Sequence, residues 1–200
     1  MANVDAAFGA VPVGTTDGSD YHAKLRECVL LAADGTATFL GDFVKLSGTG
    51  SVDGKTPAVA QAAAGNAVIG AIVSFLPNFE DEGTLSSTPN HRAASTLRRC
   101  MVAWGSDVLY EIQADEDSSA LATTDIGRNV DIVVATGSTI TGISGMELDS
   151  SSVVDATAQL RLHGVANKVG NELGSTAAGD RAIWLVSINE NQDDHGAGVS

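Results

Sequence analysis

Aromatic side chains make up 4% of this chain and proline occurs 4 times in 200 residues. Gly, Ala, Ser, Thr and Val dominate, with 22 glycines. Small and β-branched residues with many turn formers build β-structure whose layers approach closely. Positive charge is also scarce. Eleven Lys and Arg stand against 25 Asp and Glu, a net charge of −14. Nucleic acid would need a basic stripe, and the only basic cluster is Arg92, Arg98 and Arg99. An acidic surface favours solubility and repels anionic membranes. Two cysteines, Cys28 and Cys100, each lie in an apolar stretch and are expected to be buried free thiols. They make neither a disulfide framework nor a metal site. No run approaches the roughly 20 apolar residues of a membrane helix. The start Met1-Ala-Asn-Val-Asp lacks a basic segment and an apolar core, so the chain is expected to stay in a cytoplasm-like compartment where it is made.

Residues 1–22 carry Val4, Phe8, Val11 and Val13 among three glycines and a proline, with no sustained period. They are expected to form an extended arm, either docking on a partner or covering the chain's own core. From Lys24 the pattern turns to β. Apolar or alternating runs at 25–31, 39–46, 68–76, 97–102, 108–113, 130–134, 159–165 and 182–189 are separated by turn chemistry. The segment 59–64 suits either a short helix or a strand. The run 68–76 is expected to kink or bulge at Gly70. Pro77 to Asn90, with the acidic run Glu80-Asp-Glu, reads as an interaction loop. The expected fold is mainly β, a compact barrel or sandwich of about eight to ten strands. The expected layout is an arm over 1–22, a β-rich domain over 23–190 and a flexible tail over 191–200, with a possible split into two β subdomains near 77–91.

Catalytic patterns are missing. Gly142-Ile-Ser-Gly145 lacks the spacing of a nucleophile elbow. Gly50 to Thr56 ends in Gly-Lys-Thr, but its first glycine is one residue too close and Pro57 follows. His22, His91, His163 and His195 are not spaced as zinc ligands. Asp115-Glu-Asp117 lacks the alternation of a calcium loop. Glu147 and Asp149 would share a strand face but have no catalytic partner in the sequence. No cofactor is expected, and the chain is read as a non-enzyme.

Several segments carry a resemblance. They are Met1-Ala-Asn-Val-Asp-Ala-Ala-Phe-Gly, Asp34-Gly-Thr-Ala-Thr-Phe-Leu-Gly-Asp-Phe-Val-Lys-Leu, Arg92-Ala-Ala-Ser-Thr-Leu-Arg, Val108-Leu-Tyr-Glu-Ile-Gln-Ala-Asp, Thr124-Asp-Ile-Gly-Arg-Asn-Val-Asp, Thr141-Gly-Ile-Ser-Gly-Met-Glu-Leu-Asp, Gln159-Leu-Arg-Leu and Trp184-Leu-Val-Ser-Ile-Asn-Glu. In order and spacing they resemble a family of tailed-bacteriophage structural proteins associated with head decoration. The stretch Val108 to Asp149 is the most specific. The resemblance implies a cement protein on the capsid exterior, made in the bacterial host. Its partners would be the major capsid protein and further copies of itself, with a homotrimer the expected form. Neither nucleic acid nor membrane is an expected partner.

For the interface the expected residues are Val4, Phe8 and Val11 on the arm, and Arg92, Arg98 and Arg99, which would pair with a neighbour's carboxylates. Two alternatives compete. One is another virion component of the tail, neck or head fibre. The other is a carbohydrate-binding β-domain, with Trp104 as a surface aromatic and Trp184 expected in the core.

Overall fold

The computed structural model describes residues 3–77, 90–115, 120–154, 156–171, 173 and 181–193. Much of the expected 77–91 loop, Glu116 and Asp117, most of 172–180 and the tail from 194, with His195, lie outside the described residues.

Twelve strands are present among the described residues. The first six are β1 (Val11–Thr15), β2 (Leu25–Leu30), β3 (Phe43–Leu46), β4 (Ala58–Gln61), β5 (Gly70–Phe75) and β6 (Arg98–Trp104). Strands β2 to β6 close into a barrel in the order β2-β4-β3-β5-β6. All neighbours are antiparallel except β2 and β4. Alternation sends Cys28, Leu30, Val44, Val59, Ile72, Cys100 and Val102 inward, and with Ile69 they fill the interior. A five-stranded barrel has room for little more than such small and branched side chains, which explains the scarcity of rings. Cys28 and Cys100 sit opposite each other across β2 and β6, buried and unbonded. Burial pushes the Cys28 thiol up to about 12.

The remaining strands are β7 (Val108–Gln113), β8 (Asn129–Val130), β9 (Ile132–Val133), β10 (Glu147–Leu148), β11 (Leu160–Val165) and β12 (Ile183–Ile188). They form an open sheet in the order β1-β7-β12-β11-β8, with β9 and β10 paired beside it. One face of the sheet presents Tyr110, Ile112, Trp184, Val186, Leu160 and Leu162. These pack in one core with Phe43, Ala71 and Ala103 of the barrel wall and with Ile132 and Leu148. Trp184 is fully buried there, as its strand position predicts. Tyr110 crosses the join. Its ring meets Phe43 edge-on at 5.3 Å, and its hydroxyl donates to the Ala103 carbonyl at 2.7 Å.

The N-terminal segment is part of this body. β1 pairs with β7 through Val11–Glu111 and Pro12–Tyr110. Ahead of it, Gln113 Nε2 donates to the Val4 carbonyl at 2.8 Å, and the Ala6 amide donates to Gln113 Oε1 at 3.0 Å. Arg181 pairs with Asp5. The expected arm is therefore laid along its own molecule, and its alternation is that of an edge strand shortened by a bulge between Pro12 and Gly14. Gly9 (φ +70°) and Gly41 (φ +87°) let the segment turn in. A Cβ on Gly41 would stand 2.8 Å from the Phe8 carbonyl oxygen, where the Ala10 amide donates to the Gly41 carbonyl at 2.8 Å.

The 59–64 segment is strand up to Gln61, where β4 ends, and then turns. The bulge expected at Gly70 lies instead between Ile72 and Ser74. Gly70 is required for another reason: a Cβ there would meet the Ala103 carbonyl oxygen at 2.1 Å. The division expected near 77–91 falls inside the barrel, between paired strands β5 and β6. The passage from barrel to sheet occurs between β6 and β7.

Candidate interaction surface

Of the three arginines expected at an interface, two are built into the fold. Arg92 is fully buried. Its Nε donates to the Thr96 carbonyl (2.8 Å), its Nη2 to Leu31 (2.5 Å) and Asp34 (2.8 Å), and its Nη1 to Thr36. A planar guanidinium with five donors suits four backbone acceptors that no strand satisfies. Arg98 is also buried. Its Nε donates to the Leu76 carbonyl at 3.2 Å and its guanidinium lies over the Phe75 ring at 5.6 Å. Neither can reach a neighbour's carboxylate. Arg99 is half exposed but already holds Glu27 (2.6 Å) and Asp53 (3.2 Å). Adjacent arginines on a strand face opposite sides, which the one-dimensional cluster hid.

The arm residues behave differently. Val4 is 77% exposed and Val11 and Val13 are 42% and 45% exposed. Phe8 is half-buried, with Lys168 Nζ over its ring at 5.9 Å. Lys168 in turn pairs with Glu111, the cross-strand neighbour of Val11. Val4, Phe8 and the wholly exposed Val169 line one shallow cavity of about 270 Å³. Val11 lies on the other side of the Lys168–Glu111 ion pair from that cavity, and Val13 follows it along β1. Half-buried Leu109 and Leu185 lie along the outer sheet face. Val169 was not foreseen, because a lone valine in a polar stretch gives no periodic signal.

The same sheet face holds a polar pair. His163 sits at a bulge of β11, and its Nε2 lies 2.8 Å from Ser187 Oγ on β12. That spacing suits a base and a nucleophile, but no carboxylate orients the ring among the described residues. Partial burial, and then Arg161, hold the imidazole below its ordinary range. Burial raises the Asp42 carboxyl, against hydrogen bonds from Ser144, Phe39 and Gln61. It ties the turn before β3 and is sealed from solvent. Glu147, raised by burial and by Asp115, stands beside no nucleophile in the described structure. Asp115 Oδ1 accepts from the Ser150 amide and hydroxyl at 3.0 and 2.7 Å. No group of three or more His, Cys, Asp or Glu among the described residues is placed to hold a metal.

Among the described residues no helix is long and apolar enough to cross a membrane. Compared with protein-family models, with curated proteins and with solved structures, the chain finds no match.

Proposed function

We propose that this chain is a virion structural protein that binds the outside of a bacteriophage capsid and stabilises contacts between major capsid protein subunits. The observation that carries this is the exposure of Val11 and Val13 on the edge strand β1, and of Val4 and Val169 at the cavity on the far side of the Lys168–Glu111 pair, on a body of net charge −14. An acidic protein gains nothing in solubility from such a patch, and patches of this kind mark contact sites. The rigid pairing of barrel and sheet supports the reading, because contacts made by a preorganised surface lose little to ordering. Burial of the patch would contribute about 25 cal/mol per Å². Repetition around a symmetric oligomer would multiply modest contacts through effective concentration. The segment resemblance to head-decoration proteins favours the capsid over the tail, neck or head fibre.

The test is co-sedimentation of the purified protein with expanded capsids. Wild type is expected to pellet with the particles at hundreds of copies each. Val11→Asp with Val13→Asp is expected to stay in the supernatant while keeping its circular dichroism and melting temperature. Equal binding by the double variant would remove the patch from the account. Six to a few dozen copies per particle would assign the protein to the tail or neck.

A further inference from the structure

The mouth of the barrel carries a second surface of opposite chemistry. Seven of the eleven cations are engaged within the chain. Lys24 holds Asp107, Arg99 holds Glu27 and Asp53, Arg128 holds Asp125, Lys168 holds Glu111 and Arg181 holds Asp5, while Arg92 and Arg98 are buried on carbonyls. Arg26, Lys45, Lys55 and Arg161 have no ion pair among the described residues. Two of these four, Arg26 and Lys55, line one open cleft of about 410 Å³.

The cleft follows from the barrel's register. Arg26 lies on the same face of β2 as the inward Cys28 and Leu30, at the end where the interior opens. Trp104 lies on the matching face of β6, two residues beyond Val102, and the Arg26 guanidinium stacks over its ring at 4.5 Å. Stacking leaves the edge donors of a guanidinium free for a planar acceptor. Leu46, Pro57 and Ala58 supply an apolar floor. Lys55 stands on the loop between β3 and β4, which Asp53 makes rigid. The Asp53 carboxylate accepts from the Lys55 and Thr56 amides at 2.9 and 2.8 Å and from the Ser51 hydroxyl at 2.8 Å. It is thereby consumed as a loop anchor and does not neutralise Lys55.

We infer that this barrel mouth receives an acidic segment of a protein partner, with an Asp or Glu carboxylate between Arg26 and Lys55 and its carbon stem on Leu46 and Pro57. Like charges elsewhere on the chain oppose an extended polyanion such as nucleic acid. A single carboxylate flanked by carbon matches both the two cations and the apolar floor. Only the partner's identity as a shell subunit rests on the proposed function; the chemistry of the cleft does not.

The experiment is a titration of the full chain with an end-capped peptide carrying one Glu between leucines at low salt, followed by the indole N–H resonances of the two tryptophans. The expected result is a saturable shift of the Trp104 signal with the Trp184 signal unmoved. Arg26→Gln and Lys55→Gln are each expected to bind roughly ten-fold more weakly, the scale of one charge-assisted hydrogen bond. Lys45→Gln, the same loss of charge outside the cleft, is expected to leave affinity unchanged. No Trp104 shift, or equal weakening by Lys45→Gln, would overturn the inference. Tighter binding of inorganic pyrophosphate than of the peptide would also overturn it, by reassigning the cleft to phosphate. The titration uses no capsid, so its failure leaves the decoration reading standing, and a failed capsid assay leaves the cleft standing.

Discussion

The barrel and the open sheet solve the same problem in opposite ways. The barrel has no free edge, because β6 returns to β2 and every strand is paired on both sides. Its loops are tied within the chain, by Arg92 on four carbonyls and by Asp42 Oδ2 on Phe39 and Gln61. The sheet keeps two edges, and one of them is β1, with Pro12 removing a donor and valines exposed on either side of it. Closure gives rigidity and leaves the mouth as the barrel's surface for a partner. An open edge offers surface and depends on the barrel for its core. The barrel wall contributes Phe43, Ala71 and Ala103 to the sheet's packing, so neither region is a domain by itself.

Three variants sharpen this contrast. Arg92→Ala should have the largest effect, a loss of about 3–5 kcal/mol in urea unfolding, because it empties the place of a fully buried side chain and cuts the link among four loop carbonyls at once. Arg92→Lys should recover only part, since an ammonium cannot span carbonyls spread around a guanidinium plane. A loss below about 1 kcal/mol for Arg92→Ala would mean that the barrel's loops do not depend on it. Tyr110→Phe should cost about 1 kcal/mol by removing the hydrogen bond to Ala103 across the join, with the ring packing retained. A variant that unfolds in two separate transitions would show that barrel and sheet are less coupled than their shared core requires.

The smallest effect is a slope with pH. The folded-state pKa of Asp42 lies above its unfolded value, so the folded state takes up the proton more readily. Its contribution is therefore present in full below the unfolded pKa and is lost as pH rises through the folded pKa. Asp42→Asn should flatten stability across that interval, measured by urea unfolding at a series of pH values. An unchanged slope would assign the dependence to other carboxyls.

The strands were legible wherever alternation met turn chemistry. Val108–Gln113 alternates cleanly and forms a strand with those same bounds, and the runs at 25–31, 39–46 and 159–165 hold strands that end at Leu30, Leu46 and Val165. β1 was not legible as a strand, because glycine and proline dilute its pattern and its partner β7 lies far along the sequence. β10 was missed because two residues give no period. The arginine cluster misled for a related reason. Sequence proximity does not encode side, and a buried arginine announces itself only through the carbonyls around it. The Gly50–Thr56 stretch, followed by strand β4 and not by a helix, walls the cleft at the barrel mouth. Its neighbour there, Arg26, carries no motif at all, since the stack on Trp104 joins residues from opposite ends of the barrel's sequence.

The pairing of β1 with β7 has a consequence for the order in which the chain takes shape. The first strand leaves the ribosome long before the strand it pairs with, and the whole barrel is synthesised in the interval. Until Val108 emerges, β1 has no strand of its own chain to pair with, and its valines are free to meet the same strand of another nascent copy. Assembly of the sheet is thus a race between a late segment of the same molecule and an early one of its sibling. The rate of translation would set the odds of that race.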